Sequence, residues 1–177
     1  MTRKEALKKV KEHGWALADV PKEMRDAEIC HAAVEQYGIA LAFVPEELKT
    51  AELCRMAVEY CDWMLGFVPE ELKTQELCRM AVERNGDLLG LVPEELITDE
   101  LCRLAVEDAS RWTLGFVPEK LKPLKLCLTA VARDHRALDH VPEKFKAKIK
   151  AKDIADGENN LKRKQREFFK LLVDTVK

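Results

Sequence analysis

Long hydrophobic runs are missing from this 177-residue chain: nothing approaches the roughly 18 consecutive apolar residues that a membrane-spanning helix requires, which excludes such a span. The opening Met1–Glu5 stretch also lacks the apolar centre of a signal peptide, so a cytoplasmic protein is expected. Glycine and proline number only seven each, and with 47% hydrophobic residues this excludes a disordered chain. Catalytic grammar is absent too. There is no glycine-rich phosphate loop, no Cys-x-x-Cys pair and no Ser-His-Asp arrangement, so the expectation is a protein that is not an enzyme and carries no cofactor. Aromatic residues make up 6% and charged residues 35%, a balance that favours exposed helices laced with charge.

A large net charge is lacking as well, but the total of −2 conceals an asymmetry. Residues 1–142 carry 19 Lys and Arg against 26 Asp and Glu, whereas residues 143–177 carry 11 against 6. An acidic body argues against a nucleic-acid surface along its length, because phosphate binding needs an excess of Lys and Arg on the contact face.

What the chain does have is a repeat. Val-Pro recurs at Pro21, Pro45, Pro69, Pro93, Pro118 and Pro142, a spacing of 24 residues with one interval of 25. Cys30, Cys54, Cys78, Cys102 and Cys127 keep the same register and place the extra residue around Ser110 and Arg111. Periods of 20 to 50 residues mark stacked supersecondary units, none of which can bury its apolar face alone.

Each unit predicts two helical pieces. In the first, Leu53, Cys54, Ala57 and Val58 fall on one helical stripe. Thr50 and Thr74 are expected as N-caps, with Glu52 and Glu76 in the first turn where the helix dipole favours acid. Gly14, Gly38 and Gly86 are expected as left-handed C′ residues closing that helix, with Asp62 as a substitute. The second piece contains Val-Pro, which predicts a short or kinked helix restarting with proline at its first position. The ends deviate as caps should: Ala6 and Ala151 replace cysteine, and Lys9 stands where later units have alanine. After the breaker around Gly157, the apolar positions Leu161, Phe168, Leu172 and Val176 predict a last helix folded over the end of the stack.

The phrases ALAFVPEELKT (40–50) and ELCRMAVE (52–59), with the closing Arg84-Asn85-Gly86, resemble a bacterial tandem-repeat family of unknown function whose units read A-L-x-x-V-P-E-E-L-K and then E-L-C-x-x-A-V-x-x-N-G. The resemblance runs over residues 14–146 and departs from the pattern at Asp62, at His135 and at the extra residue near Ser110. It implies an all-helical tandem array and brings no catalytic residues with it.

Candidate sites follow from the register. The in-register cysteines read as small packing residues. Neighbouring units lie about 8–10 Å apart, beyond the roughly 7 Å Cα reach of a disulfide and too far for one zinc. Cys61 lies outside the register, near a loop. His135 and His140 occupy glycine and phenylalanine slots, which accounts for both without a metal. Arg55, Arg79 and Arg103 give one guanidinium per unit, either to hold an acidic partner or to pair with glutamates three before and four after. The first residue of the second piece varies more: Trp15, Ile39, Trp63, Asp87, Trp112 and Arg136. The three tryptophans either cover grooves between units or are displayed as binding anchors. A basic site at Lys162, Arg163, Lys164 and Arg166 is the alternative, suited to nucleic acid.

The expected architecture is all-α: a right-handed or otherwise curved α-solenoid of about six 24-residue helical pairs over residues 1–156, with a C-terminal capping helix at 157–177. The expected function is a non-enzymatic scaffold for another protein or peptide, with a nucleic-acid-binding module as the alternative.

Overall fold

The computed structural model describes residues 1–107 and 112–149, and no β-strand occurs among them. Six α-helices follow the sequence period: α1 (Arg3–Glu12), α2 (Ala27–Gln36), α3 (Ala51–Tyr60), α4 (Gln75–Arg84), α5 (Asp99–Glu107) and, after the short α6 (Thr113–Phe116), α7 (Leu124–Arg133). A four-residue helix, α8 (Glu143–Lys146), comes last. Between the long helices lie pairs of 3₁₀ segments, such as Gly38–Phe43 then Glu46–Leu48, and Asp62–Phe67 then Glu70–Leu72. The protein is therefore all-helical wherever it is described. The extra residue near Ser110 and the capping helix expected over 161–176 lie outside the described residues.

Side chains start the long helices as the sequence indicates. Thr50 and Thr74 accept from the N–H groups of Leu53 and Leu77, each at 3.2 Å. Asp26 does the same for Ile29 at 2.9 Å, and Thr2 with Glu5 closes a reciprocal capping box on α1. The expected stripe is the core. Leu53, Cys54, Ala57 and Val58 of α3 are buried, as are their counterparts Ile29, Cys30, Ala33 and Val34 of α2.

The helix ends differ from expectation. No residue described here has a positive φ, so the glycines are not left-handed caps. Helices α1, α2 and α3 instead end on an extended residue, His13, Tyr37 and Cys61, and the chain passes straight into a 3₁₀ segment. Glycine is required for close approach. A Cβ on Gly14 would meet the Ala33 carbonyl oxygen and lie 2.7 Å from the Tyr37 Cβ, and one on Gly86 would meet the Ala105 carbonyl oxygen.

The second piece is short, as expected, but its geometry differs. Through Leu96 it is a pair of 3₁₀ segments in each repeat, whereas Thr113–Phe116 and Glu143–Lys146 are short α-helices. Val68 (φ −81°, ψ 127°) and Pro69 (φ −54°, ψ 143°) are both extended, because the proline ring pushes the preceding residue out of the helical region. Pro69 thus stands before the segment Glu70–Leu72 as its N-cap and not as its first helical residue.

The chain divides into two compact units. The first comprises Met1–Arg84 and Leu91–Leu96. In it α1 packs on α2, α2 on α3 and α3 on α4, while the segment Gly14–Asp19 packs on Gly38–Phe43 and that on Asp62–Phe67. Two layers result, one of α-helices and one of 3₁₀ segments. The second unit contains Asn85–Gly90 and the described residues from Ile97 onward. There α5 packs on α6 and α7, and the 3₁₀ segment His135–His140 packs on α6 and α7.

Candidate interaction surface

Each 3₁₀ segment turns an adjacent pair of side chains inward, such as Ala40 with Leu41 or Met64 with Leu65, and leaves flanking ones outward. Leu41 and Leu65 are fully buried, whereas Phe43, Trp63 and Phe67 are exposed. Trp15 and Trp63 are each 56% exposed and Trp112 is 52% exposed, so about half of each tryptophan is displayed to solvent. In the same column Ile39 and Asp87 are half-buried and Arg136 is exposed. In the first unit the tryptophan column runs beside a second one containing Phe43 and Phe67, and Ala18, Ala42 and Gly66 stand between the two in sequence. The second unit repeats the motif with Trp112 and Phe116, and there Trp112 leans on the His140 ring at 5.7 Å.

Sequence reasoning missed the cations that close this layer. Lys49 donates to the carbonyl of Phe67 at 2.7 Å, and Lys73 to that of Leu91 at 2.8 Å, each reaching the following 24-residue segment. Both side chains are buried, yet each also meets an exposed acid, Glu46 or Glu70. Arg25 does the same for Phe43 at 2.7 Å and also bonds the carbonyls of Val20 and Ala18. The carbonyls of Phe43, Phe67 and Leu91 end 3₁₀ segments, where no N–H of the helix itself remains to satisfy them. A signal was present: Arg25, Lys49, Lys73, Lys122 and Lys146 share one register position, which Ile97 alone breaks.

Two members of the arginine column form local ion pairs. Arg55 pairs with Glu59, and Arg79 with Glu83 at 2.8 Å, in both cases the acid four residues on. Arg103 is exposed on α5. Arg55 and Glu59 line a groove of about 240 Å³ between α3 and α4, with Leu77 and Met80 opposite. The basic residues Lys162, Arg163, Lys164 and Arg166 lie outside the described residues.

All six cysteines are free thiols, and the five in register are buried. Burial pushes each of those thiols up to about 11, because the apolar surroundings disfavour the thiolate. Unfolding returns them to about 9, so the unfolded chain loses these protons first and stability falls as pH rises from about 9 to about 11. Chemical denaturation across that range is expected to show this decline. A Cys54→Ala/Cys78→Ala variant should show a shallower one, and an unchanged slope would contradict the assignment. Cys61 is only half-buried and should react first with a thiol reagent.

Asp134 is held down at about 2 by the Arg136 guanidinium, which it grips at 2.7 Å. Among the described residues no three His, Cys, Asp or Glu side chains converge as a metal site requires, and no helix is long and apolar enough to cross a membrane.

A family described as a domain of unknown function (DUF4116) matches residues 51–97, from the start of α3 to just past Glu94–Leu96. No curated protein and no solved structure matches the chain.

Proposed function

We propose that the chain is a non-enzymatic scaffold, a helical-repeat array of the solenoid type, whose 3₁₀ layer binds another protein or peptide. The observation that carries this reading is the exposure of Trp15, Trp63 and Trp112 at one register position. Tryptophan is normally largely buried, and it is the residue most enriched where binding energy concentrates. A position that displays indole in three segments, isoleucine, aspartate or arginine in the others, is varied as a recognition column would be.

The test is affinity capture from the source cell with the full chain and with a Trp15→Ala/Trp63→Ala/Trp112→Ala variant. A partner bound by the first and lost by the second is expected, while both proteins keep the same helical circular dichroism. Retention of every captured protein by the variant would overturn the reading.

A further inference from the structure

We propose that the 3₁₀ layer of the first unit takes a basic amphipathic helix of its partner, apolar side chains on the aromatic ribbon and Lys or Arg on an acidic rim. This rests on the interaction-scaffold reading and names the partner's chemistry.

The ribbon consists of Trp15, Ile39, Phe43, Trp63 and Phe67, and no lysine or arginine occupies either column in the first three segments. Trp15, Phe43, Trp63 and Phe67 are exposed and Ile39 is half-buried, on 3₁₀ segments that pack on one another in order, and large apolar side chains displayed in this way mark a contact site. The rim follows in sequence. Three and four residues after Phe43 come Glu46 and Glu47, after Phe67 come Glu70 and Glu71, and after Leu91 come Glu94 and Glu95, all six exposed. Asp19 stands in the phenylalanine column of the first segment, adding another exposed acid.

The nearby cations neutralise only part of this rim. Lys49 and Lys73 pair with Glu46 at 2.5 Å and Glu70 at 2.7 Å while also bonding the carbonyls of Phe67 and Leu91, and the Arg25 guanidinium lies on three carbonyls, so the exposed Glu47 and Glu71, one residue on, carry the rim's charge together with Glu95 and Asp19. Lys22 is the only other cation in the short 3₁₀ turns of this unit. An apolar strip bordered by acid is complementary to a segment that carries both apolar and basic residues, and it repels an anionic lipid surface.

The backbone selects the conformation of the occupant. An extended peptide binds by adding hydrogen bonds to an exposed backbone edge. Here the carbonyls at the ends of the 3₁₀ segments are already occupied by Arg25, Lys49 and Lys73. A helix brings its own backbone bonds satisfied and offers a one-sided apolar face, which suits a strip of side chains.

The test uses the full 177-residue chain and a fluorescein-labelled peptide made of two copies of Leu-Lys-Lys-Leu-Leu-Lys-Leu, compared by anisotropy with the same peptide carrying glutamate for lysine. The lysine peptide should bind at least about tenfold more tightly, as 1.4 kcal/mol of charge complementarity gives. Glu47→Lys/Glu71→Lys should remove that preference. Glu100→Lys/Glu107→Lys, an equal change of net charge on α5 of the other unit, should preserve it. Trp63→Ala/Phe67→Ala should abolish binding. Equal binding of both peptides that still needs Trp63 and Phe67 would overturn the basic-partner proposal and leave the interaction surface standing. Binding indifferent to Trp63 and Phe67 would overturn both. A dimer of the free chain, seen by sedimentation and lost in Trp63→Ala/Phe67→Ala, would make the occupant a second copy and likewise overturn the proposal. Should Trp63→Ala/Phe67→Ala fail to fold, loss of preference in Glu47→Lys/Glu71→Lys decides the matter alone.

Discussion

Leu65→Ala is expected to lower the unfolding free energy by about 2–5 kcal/mol, the range for truncating a fully buried leucine into a cavity. Leu65 has no solvent exposure and sits in the 3₁₀ segment Asp62–Phe67, which packs on α3, on α4 and on Gly38–Phe43. Its surroundings cannot collapse easily, because that segment is packed on all three of these elements. Trp63→Ala removes more atoms from the same segment, yet it should cost clearly less, since more than half of that side chain already lies in water. Urea denaturation of the two variants checks this. Equal costs, or a larger one for Trp63→Ala, would mean that the inward and outward faces of the 3₁₀ layer have been exchanged.

The long helices were legible in the sequence for a physical reason. Leu53, Cys54, Ala57 and Val58 recur in register with a threonine cap ahead of them, and hydrophobic spacing, cap chemistry and period all point to one answer. The 3₁₀ layer was not legible in the same way. Leu65 and Val68 are three apart, a spacing that suits an α-helix and a 3₁₀ segment equally, and only the backbone bond from Met64 to Cys61 distinguishes them. Glycine misled because one residue type serves two needs. Gly14 and Gly38 follow helix ends, where a left-handed cap is the common use, but here the need is room for the neighbouring Tyr37 and Tyr60 side chains.

The candidate surface was half visible. The tryptophan column could be read from Trp15, Trp63 and Trp112, but exposure depends on which way each 3₁₀ segment is rotated against its α-helix, and periodicity alone does not fix that rotation. The cation column was overlooked because lysine is ordinarily solvated. Its recurrence directly after Leu48 and Leu72 was the available signal, and it becomes meaningful only once the carbonyl that each lysine reaches is known.

Lys73 gives the sharpest test of those caps. Lys73→Met keeps the apolar stem but removes the ammonium group, leaving the Leu91 carbonyl without the donor that now reaches it at 2.8 Å. A buried acceptor stripped of its partner costs about 1–3 kcal/mol, and because Leu91 is only half-buried the loss should fall towards the lower end of that range. Glu70, 2.7 Å from the same ammonium group, offers a competing explanation, namely that the ion pair is what matters. Its carboxylate is largely exposed, however, and exposed pairs contribute about 0–1 kcal/mol. Arg25 argues in the same direction, since its three bonds go to the carbonyls of Val20, Phe43 and Ala18. The lysine's role is therefore to terminate the next 3₁₀ segment, and most of the loss in Lys73→Met should persist when it is made in a Glu70→Gln background. Denaturation of the two single variants and the double variant completes the cycle. A loss that vanishes once Glu70 is neutralised would assign the stabilisation to the ion pair and leave the carbonyl cap without energetic weight.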